Sequence, residues 1–160
     1  MKDSPLLPID YWNELKARYG DKSCIYTTVE HGWAGNYFKQ YDDLEKFNKK
    51  NGTNIRWIYG AEAYWVKDRH ELDRSNCHIV LLARTDKGRK AINKILSIAN
   101  KDGYYARPRI DLELIGQLPY DDVMITTACV AFWNKYDDIA DIVRHLAESF
   151  PHFYLEVQAH

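Results

Sequence analysis

Residues 58–83 read IYGAEAYWVKDRHELDRSNCHIVLLA, and two side chains in them do not belong with their surroundings. Glu62 sits between Ala61 and Ala63 in an aromatic and small-residue run, and His78 heads the apolar run His78-Ile79-Val80-Leu81-Leu82-Ala83. A carboxylate in such company is costly to bury unless a cation or hydrogen-bond donors compensate it. A Glu and a His projecting from neighbouring strands would make half of a metal site. The same residues also suit an ion-paired or solvated Glu and a hydrogen-bonded core His, so the pair alone leaves both readings open.

Further groups of this kind stand at strand ends. Cys24-Ile25-Tyr26-Thr27-Thr28-Val29 is β-branched and aromatic, and it runs into Glu30-His31-Gly32. A titratable pair followed by Gly at a strand's C-terminal end is where α/β folds place their chemistry, although a loop with a solvated His fits as well. Val123-Met124-Ile125-Thr126-Thr127-Ala128 ends in Cys129. Residues 102–111, DGYYARPRID, carry Arg107 and Arg109 around Pro108, which bars regular helix there. Either arginine could pair with a phosphate or with a nearby carboxylate.

The elements that position these groups alternate. Strands are expected over 24–29, 54–66, 78–83, 123–128 and 153–157, with helices between them. Pro5 and Pro8 open a first helix carrying Trp12, Leu15 and Tyr19, with Gly20 as its stop. Tyr37, Tyr41 and Leu44 share one face of a second, which Asn51-Gly52 ends. Thr85-Asp86 caps a third, whose Ile92, Ile95, Leu96 and Ala99 make a core stripe; Ile139, Ile142, Val143 and Leu146 mark a fourth. The polar stretch 67–76 joins two strands, with His70 read as solvated. This alternation is the signature of an α/β protein, and near-continuous apolar runs suit mostly parallel strands with helices outside.

Composition narrows the classes. The chain has 160 residues and a net charge of -1, one domain's worth, with 46% hydrophobic and 28% charged residues. Disordered and membrane classes are excluded, since no apolar run approaches the roughly 20 residues a bilayer span needs. Three cysteines without framework spacing favour reduced thiols, and the start MKDSPLLPID has no signal pattern, so a cytoplasmic location is expected. Near-neutral charge gives no global electrostatic case for nucleic acid. The twelve tyrosines and five tryptophans suit core, interface or base-stacking roles alike.

Taken in order, these stretches resemble a known family. TTVEHGW resembles the T-D-H-G motif of the PHP (polymerase and histidinol phosphatase) superfamily, IYGAEAYWV its G-x-E-x-Y strand, and CHIVLLA its Y-H-L-V-L-L-A strand. GRKAINKILSIANKDGYYARPRID is similar to the segment of bacterial or phage DNA polymerase III alpha subunits in which a helix leads into G-[FY]-Y-x-x-P-R-I-D. ITTACVAFW and FYLEVQAH resemble that family's S-G-C-L and F-Y-L-E-[IL]-Q-x-H strands. The resemblance covers residues 6–160.

It implies a partial, distorted (β/α)7 barrel of mostly parallel strands, one partial domain over 1–160, and metal ligands at His31, Glu62, His78 and Cys129. The implied cofactor is a divalent metal, zinc, manganese or iron, with Glu62 as the natural bridge in a site of up to three ions. Arg107 and Arg109 would lie near the barrel mouth, one facing the cluster as a phosphate-binding group and the other tied to an acidic side chain. The family's H-x-H and D-x-H motifs are absent from the sequence, and Glu30 stands where the family usually has Asp. An internal piece of a replicative polymerase is therefore expected, structural and degenerate in metal binding. The alternative is a metal-dependent phosphoesterase, a 3′–5′ exonuclease or small-molecule phosphatase, completed by ligands from another chain. The partner implied is the remainder of a polymerase or a split-gene partner chain, with DNA reached through it and no membrane.

Overall fold

A computed structural model of the chain describes residues 6–157. The elements are α1 (Pro8–Tyr19), β1 (Ser23–Thr28), α2 (Tyr37–Asn51), β2 (Asn54–Trp65), β3 (Cys77–Ala83), α3 (Asp86–Lys101), β4 (Tyr104–Tyr105), β5 (Arg107–Ile110), α4 (Leu112–Ile115), β6 (Val123–Thr126), α5 (Ile139–Ser149) and β7 (Phe153–Tyr154). The strands form a seven-stranded sheet in the order β4-β5-β2-β3-β6-β7, with β1 paired to β2 off that path. The α/β class expected from the alternation holds.

Pairing directions are mixed. β2 with β5 and β6 with β7 are parallel, while β3 runs antiparallel to both β2 and β6, and β4 antiparallel to β5. The physical reason lies in residues 67–76, which hold no helix to carry the chain back across the sheet, so β3 returns beside β2. The continuous apolar runs disguised an alternation. Ala61, Ala63, Trp65, Cys77, Ile79 and Leu81 are buried on one face, whereas Glu62, Tyr64, His78 and Val80 lie on the other and are half-buried.

Packing forms two compact units. The smaller runs up to Thr27 and from Gly35 to Ile58, and its core is Trp12, Tyr26, Leu44, Phe47 and Ile55. Trp12 packs edge-on against Tyr26 at 6.0 Å and tilted against Phe47 at 5.7 Å. The larger comprises Thr28–Ala34 and the described residues from Tyr59 onward. There α3 buries Ile92, Ile95, Leu96 and Ala99, and Thr85 caps it by accepting a hydrogen bond from the Gly88 amide at 3.1 Å. Each of those larger side chains contributes about 1.5–3 kcal/mol when fully buried. Four short elements were not foreseen: β4 and β5, α4, capped by Asp111, and a single 3-10 turn at Val130–Phe132 after Cys129. The end of the expected last strand at 155–157 is not strand, and β7 stops at Tyr154.

Candidate metal centre

Strand register builds the site within the larger unit. Tyr64 faces His78 across the β2–β3 ladder and Glu62 faces Val80, so Glu62 and His78 are diagonal neighbours on one face. His31 joins them by a short parallel bridge: the Glu62 amide donates to the Glu30 carbonyl at 3.0 Å, and the Gly32 amide donates to the Glu62 carbonyl at 2.8 Å. Gly32 has a φ of 71°, and a Cβ there would lie 2.8 Å from Pro108 Cγ and 2.9 Å from Tyr64 Cε2. Only glycine lets the chain turn this close to Tyr64. Ala128, at φ 51°, turns the chain out of the end of β6 into Cys129.

The side chains converge. His78 Nδ1 lies 3.0 Å from Glu62 Oε1, and His31 Nε2 lies 3.6 Å from Glu62 Oε2. Cys129 Sγ is 3.6 Å from the same His78 Nδ1. One ligand atom each from His31, Glu62 and His78 falls within 4.8 Å of the others, the one such group among the described residues. The Glu62 hydrogen bond raises the His78 pKa above its ordinary value; burial opposes the shift and Cys129 adds to it. Three of the four residues expected as ligands, His31, Glu62 and His78, thus form one group, and Cys129 adjoins it through His78 alone. Two imidazoles, a carboxylate and a thiol fit zinc or iron as a donor set, and the nitrogen facing both oxygen and sulfur is where a cation would replace the shared proton.

Tyr64 was overlooked by sequence reasoning. Its ring stacks on His31 at 5.9 Å and meets the His78 ring at 5.3 Å, so it fixes both imidazoles. Its signal was available, since two residues on from Glu62 in a strand means the same face. Arg107 holds its guanidinium 5.6 Å from the centre of the Tyr64 ring, at the edge of the cluster.

Arg109 is a correction. It is only 2% exposed, and its guanidinium donates to the carbonyls of Gly103, Glu71, Asp73 and Arg69 at 3.0, 2.7, 2.9 and 2.6 Å. Four of its five N–H donors are taken up by backbone carbonyls in a buried position, and the partner is loop backbone, not the acidic side chain expected. The buried ion pair belongs to Arg69, whose Nη1 lies 2.8 Å from Asp111 Oδ2 and also reaches the exposed Glu113 Oε2 at 2.7 Å. His70 is exposed, as expected.

The PHP domain model matches residues 21–160, and the chain belongs to the PHP domain family. Among curated proteins it is similar to the DNA polymerase III subunit alpha of Borreliella burgdorferi, at 29% identity over 159 residues, covering 91% of this chain and 13% of that protein. The subunit of the same name from Aquifex aeolicus is 32% identical over 146 residues, covering 78% of this chain and 12% of that protein. That of Deinococcus radiodurans is 27% identical over 131 residues, covering 71% and 10%. The chain spans about one eighth of the length of the first two relatives. It is a PHP domain related to DNA polymerase III alpha subunits, and PHP domains are generally metal-dependent.

Proposed function

We propose that this chain serves as the PHP portion of a DNA polymerase III alpha-like replicative polymerase. In this reading His31, Glu62, His78 and Cys129 hold one divalent ion, zinc or iron before manganese, for a structural purpose. The convergence of His31, Glu62 and His78 ligand atoms within 4.8 Å carries the reading. Four protein ligands on one ion close its coordination shell, and a closed site keeps no position for an activated water. The ion would fasten residues before, on and after three strand segments to one another. In the same reading the Arg107 guanidinium, which rests on Tyr64, holds a phosphate at the rim, and the remainder of a polymerase is the partner. A cytoplasmic location suits thiols that stay reduced. Among the described residues no helix is long and apolar enough to cross a membrane.

A metal-dependent phosphoesterase, completed by ligands from another chain, is favoured by one observation. The His31 side chain is 35% exposed, so the cluster is open on that side. The deciding experiment is digestion of single-stranded DNA by the purified chain with added Zn²⁺ or Mn²⁺, beside Glu62→Ala and His78→Ala. Binding of one ion without turnover is expected; turnover that both substitutions abolish would establish the phosphoesterase instead.

A further inference from the structure

Trp33 follows the candidate ligand His31 by two residues and is 56% exposed, whereas Trp12 and Trp65 are 3% and 0% exposed. Consecutive Cα atoms are about 3.8 Å apart, so its backbone lies within about 7.6 Å of that of His31. The placement is built. The preceding Gly32 amide is hydrogen-bonded to Glu62, its carbonyl accepts from Asn100 Nδ2 at 3.5 Å, and its Cα is packed against Pro108 and Tyr64. A large indole is thus held out in water by a turn that packing fixes. Pro108, against which the Gly32 turn packs, follows Arg107, whose cation rests on Tyr64, and that ring stacks on His31.

A flat apolar ring and a cation, set at the edge of one cluster, match a ligand that joins a flat ring to an anion. We propose that Trp33 is a base-stacking residue, and that with Arg107 it holds an unpaired nucleotide at the rim of the cluster, the base on the indole and the phosphate on the guanidinium. The inference rests on the assignment of Arg107 in the proposed function, but needs neither a bound ion nor turnover. Stacking on an aromatic face is available to every base and is lost in a duplex, where the bases already stack on each other.

The test is binding of a fluorescently labelled, short single-stranded oligodeoxynucleotide, followed by anisotropy, to the full chain without added metal. Trp33→Ala is expected to weaken binding about 10-fold or more, and Trp33→Phe to recover most of it. An abasic oligonucleotide of the same length should bind wild type as weakly as the intact one binds Trp33→Ala. Arg107→Gln should weaken both probes and steepen neither against salt, because it removes a phosphate contact. Equal binding of the intact probe by wild type and Trp33→Ala, or of intact and abasic probes by wild type, overturns the proposal. Zinc content measured on the same preparations separates the two readings: an ion lost from wild type with stacking intact fails the metal centre alone.

Discussion

Glu62 is the carboxylate that His31 and His78 share, at 3.6 and 3.0 Å. Removing it takes away a ligand and also the partner that orients His78. Glu62→Ala is expected to weaken zinc binding by more than about 100-fold, since loss of an outer-shell partner alone costs about 10–100-fold; chelator competition measures it. The cysteines offer a second prediction. Burial pushes the Cys77 thiol up to about 12, while Cys24 and Cys129 are half-buried. A thiol reagent at neutral pH is therefore expected to label Cys24 and Cys129 of the native chain and spare Cys77, with zinc protecting Cys129. Peptide mapping by mass spectrometry reads each site. Glu62, His78, His31 and Cys129 were legible because each is a polar or reactive group at the end or in the midst of an apolar run. Arg109 was not, because three of its four carbonyl partners lie in loop 66–76, whose course no residue pattern announces.

At the scale of elements, β5 and its neighbouring loop depend on that buried arginine. Arg109→Met leaves four carbonyls without their donor, and a loss of about 3 kcal/mol or more in urea unfolding is expected, since each buried acceptor left unsatisfied costs about 1–3 kcal/mol. Arg109→Lys should recover little of it, since an ammonium cannot span the fork of a guanidinium. The start of α3 gives a pH dependence. The Thr85 hydroxyl, followed by Lys87, holds the Asp122 carboxyl below its ordinary 3.8. Its folded-state value is the lower one, so its contribution to stability is complete above 3.8 and is lost as pH falls through the folded value. Asp122→Asn is expected to flatten the acid limb of the unfolding curve in that window, and chemical denaturation between neutral and strongly acidic pH checks it. Helices with a strong stripe, such as Ile92-Ile95-Leu96-Ala99, were legible from spacing. The antiparallel course of β3 was not, because Val80, Leu82 and Tyr64 put apolar residues on the open face and hid the period of two.

At the scale of the whole molecule, the central claim is that strands of one sheet exist to bring four ligands around one ion. The family match covers residues 21–160, while the candidate ligands come from four separate stretches between 31 and 129. Only tertiary structure joins them, so a correct site is also a report on the fold. Which residues pack into each compact unit is not written in composition, because an aromatic core such as Trp12, Tyr26 and Phe47 has the same composition wherever it packs. The most direct measurement is the visible and near-ultraviolet spectrum of the chain titrated with Co²⁺ as a zinc substitute. A single equivalent should give the intense bands of a four-coordinate ion together with a thiolate-to-cobalt charge-transfer band; Cys129→Ser should lose the latter and Glu62→Ala should bind no ion tightly. A weak six-coordinate spectrum without a sulfur band in the wild type would contradict the account.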